Sequence, residues 1–360
     1  MNPVYIIDSI RTPRAKAKES GGLHDLNPFQ LLDALYSYFT ECEILNSKEL
    51  EEVILGCVTQ QGEQAGNIAK SSSLYSGLPN NVNGLTINRF CSSSLDAINI
   101  GYLKIASGQN KNIIAGGVEM MSRVPMLSDK AAIWIDFDIS MKSKIFMMGS
   151  GADLIASLNG ITRLEADTQA LKSQQKALYA RKNNYFKSII PVFNTTKNIT
   201  CSIDECIREN SSMESLSTLN PSFKEIGKNG IDKIQLGYFP HLEKISHIHT
   251  AGNSPAMADA ASMTLLSNSK HSSSKKYQYR ASIKAVAVVN DDPLLVLSGC
   301  LMATQKLLQD TNLSVKDIDL FEIHEAFAST IIYAQRVLNI PDDKFNVNGG
   351  SLAYGHPFAA

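Results

Sequence analysis

Short apolar runs alternate with stretches of helical period from Val4 to Gly117, and that alternation commits the chain to an α/β fold. Val4-Tyr5-Ile6-Ile7 and Val53-Ile54-Leu55 have strand composition, as does Asn112-Ile113-Ile114-Ala115, which runs into Gly116-Gly117. Between them, Pro28 to about Thr40 carries Leu31, Leu32, Leu35 and Tyr36 on one side, with a proline at its start. Asn67 to Ser76 forms a second helix. From Ser122 the period is lost. A helix rich in Ala, Gln, Lys and Leu spans about Glu165 to Lys182, and irregular polar sequence follows to Ile248, the texture of a large insertion. Ser267 to Lys276 has linker composition. The alternation then resumes, with strands expected at Ala285–Val289, Ile318–Phe321 and Phe345–Asn348 and a helix around Ala303–Leu308.

The two ends echo each other. Lys48-Glu49-Leu50-Glu51-Glu52-Val53 follows the first helix, and Lys316-Asp317-Ile318-Asp319-Leu320-Phe321 follows the helix of the second half. Asn88 precedes one turn, and Asn348-Gly349-Gly350 another, in the same order. A duplicated core is the better explanation, although two helix-to-strand joins can match by chance.

Net charge is −1, so bulk electrostatics favours neither nucleic acid nor a membrane surface. No apolar run approaches the ~20 residues of a membrane span, and Met1-Asn2-Pro3-Val4-Tyr5 lacks the basic and apolar regions of a secretory signal. The six cysteines are scattered, and Cys201 and Cys206 lack neighbouring ligands for a zinc knuckle. Reduced thiols and a cytoplasmic location are expected.

Cys91 is the most informative single residue. Leu85-Thr86-Ile87 before it has strand character, and Leu95, Ile98, Tyr102, Ile105 and Ala106 mark one face of a helix ending near Gly108. The thiol is thereby placed at a helix N-terminus, where unpaired N–H groups and the macrodipole lower a thiol pKa. A buried structural cysteine is the alternative. In the second half, His356 stands between Gly355 and Pro357 on a fixed loop, where the duplicated frame would bring it to the Cys91 turn as a proton acceptor. His324 follows a strand and opens a helix, and is the third candidate for the same pocket. His24, His241, His247, His249 and His271 have no such context, and no metal site is expected.

Asn88-Arg89-Phe90-Cys91-Ser92-Ser93, Gly116-Gly117-Val118-Glu119-Met120-Met121-Ser122, Thr250-Ala251-Gly252-Asn253-Ser254, His324-Glu325-Ala326-Phe327 and Gly349-Gly350 through Gly355-His356-Pro357 together resemble the motifs of the thiolases (acyl-CoA acetyltransferases), in that family's order. The resemblance extends from Arg11-Thr12-Pro13 to the last residue. It implies an α/β fold of two duplicated βαβαβαββ halves in a five-layered α/β/α/β/α core. On that reading residues 1–121 with 250–270 form the first half, 122–249 an inserted loop domain that covers the pocket and binds coenzyme A, and 271–360 an incomplete second half. The implied chemistry is Claisen condensation of acyl-CoA with acetyl-CoA, or thiolysis of a 3-ketoacyl-CoA, with coenzyme A thioesters as substrates and no other cofactor. Dimers or tetramers are implied, and some members work with a hydratase/dehydrogenase partner subunit.

Carried over by motif, Cys91 would take the acyl group as a thioester, and His356 would activate it and help bind a thioester oxygen. His324 fills a position that usually holds Asn and fixes a water in the oxyanion hole; some members carry His there. Met148 would line the pantetheine channel, and Ser254 and Pro255 fall where coenzyme A is contacted, with Pro255 replacing a common Ser. Met147 stands where a His is common, Asp259-Ala260-Ala261 replaces Asp-Gly-Ala, and Phe358-Ala359 replaces Leu-Gly. Thiolases continue past the His-Pro motif to a Cys-x-Gly-Gly-Gly loop that supplies an acid/base cysteine, whereas this chain stops at Ala360. Impaired condensation is therefore expected. The rival readings are a ketoacyl synthase, which uses two histidines and carrier-protein substrates, and a non-catalytic truncated remnant.

Overall fold

The structure, a computed structural model, describes residues 2–360. Its centre is a seven-stranded mixed sheet. The strands are β1 (Tyr5–Arg11), β2 (Ala15–Lys16), β3 (Glu52–Gly56), β4 (Asn83–Ile87), β5 (Asn112–Met120), β8 (Ala258–Ser267) and β9 (Ala281–Ser282), while β6 (Val192–Asn194) and β7 (Ile199–Cys201) form a separate hairpin. The order is β4-β3-β5-β8-β1-β9, with β2 also on β8. β3 pairs in parallel with β4 and β5, and β8 runs antiparallel between β5 and β1.

Successive side chains of a strand point to opposite faces, and both faces here are covered. Val53 and Leu55 join one core with Leu31, Leu32, Leu35, Tyr36 and Phe39 of α1 (Pro28–Glu41). Ile54 faces the other way, with Ala97 and Ile105 of α3 (Ser93–Ala106) and with Ile113, Ala115 and Leu266. Double burial is why these strands are continuously apolar rather than alternating. α1 starts in a capping box, Asn27 accepting from Gln30 N and Gln30 from Asn27 N. α2 (Ile68–Tyr75) lies where its sequence places it.

β8 was not apparent from sequence. Ala258-Asp259-Ala260-Ala261-Ser262-Met263 lacks the β-branched and aromatic residues that mark strands, and the segment is a strand because β1 and β5 flank it on both sides.

The expected strands of the second half require correction. Ala285–Val289 is extended but unpaired: the chain leaves the sheet edge after Ile283 N donates to Val4 O. Ile318–Phe321 and Phe345–Asn348 meet only at one parallel bridge, Phe321 to Phe345. A strand is defined by a partner ladder, and among the described residues these segments have none beyond that bridge. The helix expected around Ala303–Leu308 spans Gly299–Thr311. A second core forms around Phe321, Ile323, Ile331, Leu338, Phe345 and Leu352, completed by Ala156, Ala166 and Ala170 from helices Met148–Leu158 and Arg163–Lys182.

Candidate active site

Cys91 lies one residue before Ser92, the N-cap of α3, after β4 ends at Ile87. The intervening turn is held from several sides. Asn88 accepts from Phe90 N at 2.9 Å and donates to Val58 O at 3.1 Å. Ser93 Oγ accepts from Arg89 N at 2.8 Å and donates to Phe90 O at 2.6 Å. Phe90 takes φ +48°, a conformation most side chains avoid, and this clamp maintains it. At Gly56 a Cβ would lie 2.5 Å from the Ser93 Cβ, so glycine is what lets the start of α3 press against the end of β3.

The second half brings two imidazoles to this turn. His324 follows the Phe321 bridge. Its neighbour Glu325 accepts from Ser173 Oγ at 2.6 Å, Leu352 N at 3.1 Å and Asn346 Nδ2 at 3.2 Å, tying the His324 segment to the glycine-rich loop. Ser351 Oγ donates to Glu325 O at 2.9 Å and stands 3.4 Å from His324 Nδ1. Gly355 turns the chain with φ +85°, and His356 N then donates to Ala256 O at 2.8 Å. The two rings lie 4.2 Å apart, centre to centre. The Cys91 sulfur and a nitrogen from each of His324 and His356 all lie within 4.8 Å of one another.

The thiol differs from its expectation. Burial pushes Cys91 up to about 11, and Glu119 adds to the rise; only the backbone N–H at the helix start opposes them. The helix terminus is therefore outweighed by desolvation. Glu119 is itself buried, accepting from Val58 N, Thr59 N and Gln64 Nε2, and burial raises its pKa. His324 keeps an exposed side, yet desolvation by the protein around it, with the nearby Arg14 charge, lowers it to about 4. Burial, then His324 and Arg14, hold His356 well below the ordinary value. At neutral pH the resting trio is thus a thiol and two neutral imidazoles, not an ion pair. His356 Nε2 is buried without a hydrogen-bond partner, and neutral imidazole nitrogen can accept a proton. The arrangement suits general-base delivery of a sulfur nucleophile as it attacks.

Ser254 and Pro255 directly precede Ala256, the residue that holds His356 N, and Ser254 Oγ is buried and unpartnered. Met148 opens the helix Met148–Leu158, whose Ala152 carbonyl accepts from Ser329 Oγ in the helix after His324. His247 and His249, without context in the sequence, converge on buried Asp153 at 2.9 and 2.6 Å, and His247 also meets Asp232 at 3.0 Å. Arg14 is a site neighbour the sequence did not reveal: its Nη1 donates to Gly355 O across 341 residues, and no local pattern signals such a contact.

Residues 4–229 match the family model described as thiolase, N-terminal domain, and residues 277–360 match thiolase, C-terminal domain. The 3-ketoacyl-CoA thiolase of Colwellia psychrerythraea is 35% identical over 99% of this chain and 89% of its own length. The crystal structure of human mitochondrial 3-ketoacyl-CoA thiolase superposes with a TM-score of 0.84 at 27% identity, covering 100% of this chain and 89% of that one. The Bacillus anthracis acetyl-CoA acetyltransferase does so with a TM-score of 0.82 at 29% identity, again over 100% and 89%.

Proposed function

Because the chain belongs to the thiolase family and is an acyl-CoA C-acyltransferase with that family's fold, we propose that Cys91 is its acyl acceptor, His356 the base and His324 the partner of the thioester oxygen. The observation that carries this reading is the convergence of the three side chains within 4.8 Å at the start of α3. The Cys91 sulfur attacks the thioester carbonyl carbon as His356 takes its proton. The C–S bond to coenzyme A then breaks, and the proton returns from His356 to the departing coenzyme A sulfur. Acyl-CoA and Cys91 thiol thus give acyl-Cys91 and coenzyme A. Backbone N–H groups at the helix start and His324 stabilise the oxyanion.

In the same reading, residues 122–249 cover the pocket, Met148 lines the pantetheine path, and Ser254 and Pro255 lie against coenzyme A. The substrates are coenzyme A thioesters, used in 3-ketoacyl-CoA thiolysis or condensation without a metal cofactor. Among the described residues, no helix is long and apolar enough to cross a membrane. A cytoplasmic homodimer or homotetramer, with or without a hydratase/dehydrogenase subunit, completes the proposal.

Mass spectrometry after incubation with acetyl-CoA tests the assignment. An acetyl adduct on the Cys91 peptide, absent in Cys91→Ala, is expected. An adduct on another cysteine overturns it. Two histidines beside the nucleophile also suit a ketoacyl synthase, so acetyl-acyl-carrier protein is the comparison substrate; faster acylation from it than from acetyl-CoA favours that reading.

A further inference from the structure

We propose that Cys91, His324 and His356 form a chelating site for a soft divalent cation, Zn²⁺ being the best match, and that its occupation blocks acyl transfer. The inhibitory part rests on Cys91 being the acyl acceptor; the binding part does not.

The donor set carries the chemistry. One sulfur and two imidazole nitrogens within 4.8 Å of one another come from three separate segments of the chain. Thiolate with imidazole selects zinc and its neighbours over magnesium or calcium, which take oxygen ligands. A tetrahedral zinc holds such atoms roughly 3.5 Å apart, given its usual bond lengths of about 2.0–2.3 Å. Reaching that spacing requires the donor atoms to close by at most about an ångström.

Two independent features point to a ligand here. His356 is 9% exposed, and its Nε2 has no hydrogen-bond partner. A buried ring nitrogen left unpaired is costly, and a metal bond would satisfy it. His324 has a polar neighbour of the kind that steadies metal-binding histidines. Ser351 Oγ, itself bonded to Glu325 O, stands 3.4 Å from Nδ1.

The binding step balances with one proton: Cys91–SH and aqueous Zn²⁺ give the Cys91 thiolate–zinc bond and H⁺. An imidazole that already carries a free nitrogen pair binds a metal without releasing a proton. The fourth position stays open to water. Arg14 opposes a dication and Glu119, on the sulfur side, favours one. With its electron pair bound to the metal, the sulfur cannot attack a thioester.

The test titrates the metal-stripped 360-residue chain with Co²⁺ as a coloured stand-in for Zn²⁺. The expected result is a sulfur-to-cobalt charge-transfer band that saturates at one metal per chain and is bleached by added Zn²⁺. Cys91→Ser abolishes it, and His324→Asn weakens binding by about 100-fold or more, beyond what loss of an outer-shell partner costs. Zn²⁺ should also slow iodoacetamide labelling of Cys91 while leaving exposed Cys42 unaffected. Thermal melting of each variant establishes that it is folded. No sulfur–cobalt band, or one that survives in Cys91→Ser, overturns the site. If the folding check fails for a variant, Zn²⁺ protection of Cys91 against Cys42 in the native chain decides. Acylation from acetyl-CoA in metal-free buffer separates the two readings: metal binding without acylation refutes the nucleophile assignment, and acylation without metal binding refutes the chelate.

Discussion

The Arg14 guanidinium donates a 2.9 Å hydrogen bond to the carbonyl of Gly355, the residue immediately before His356. It also lies 4.7 Å over the Tyr354 ring, and its own backbone N–H is anchored on Asp204 at 2.8 Å. This cation thereby steadies the loop that carries His356 and, after desolvation, adds to the lowering of both histidines.

Replacing that cation should therefore move the acid limb of acylation. In Arg14→Met the two imidazoles lose a positive neighbour, so their pKa values rise and the limb shifts to higher pH. Desolvation is the larger cause and persists, so the shift should stay within about one pH unit. The pH profile of Cys91 acylation measures it. A shift to lower pH, or none, would show that Arg14 does not act electrostatically on the pair.

Cys91 should titrate as a high-pKa thiol in the free protein. With the thiol pushed up to about 11, iodoacetamide labelling of its peptide should climb about tenfold per pH unit across the neutral and mildly alkaline range. A rate that is already flat below neutral pH would reveal a preformed thiolate–imidazolium pair and contradict the neutral trio.

Glu325 should prove structural for the site. Glu325→Ala strands three donors, on Ser173, Asn346 and Leu352, at a cost of about 3 kcal/mol or more. Denaturant unfolding reads that loss, and the loosened His324 and His356 segments should cut acylation along with it. A variant with native stability would remove the carboxyl from this account.

The Asp153 node predicts a pH-dependent contribution to stability. His247 is raised by its hydrogen bonds to Asp153 and Asp232 against opposing burial, so its contribution is complete below the unfolded value and is lost as pH rises through the folded one. Asp153 is lowered, its hydrogen bonds to His247 and His249 outweighing burial, so its contribution is present above the unfolded value and is lost as pH falls through the folded one. The node is strongest between about pH 4 and pH 6.5. His247→Gln should thus destabilise by about 1–2 kcal/mol near pH 5.5 and by less near pH 8.5. Equal losses at the two pH values would deny the charge on His247.

What the sequence by itself determined is local and periodic. The α1 stripe with its N-terminal proline, the runs of β3 and β5, and Cys91 at the mouth of α3 all follow from spacing within about fifteen residues, the range over which helix and strand periods are legible. The motif resemblance added His324 and His356 as partners, but the 4.2 Å approach of their rings beside the thiol exists only in the folded chain. Tertiary structure alone decided the rest. It made a strand of Ala258–Ser267 by flanking it with β1 and β5, and left Ala285–Val289 unpaired at the sheet edge. It joined Arg14 to Gly355, and it reversed the expected pKa of Cys91. Pairing and desolvation depend on what distant segments bring into contact, and no local pattern of residues records that.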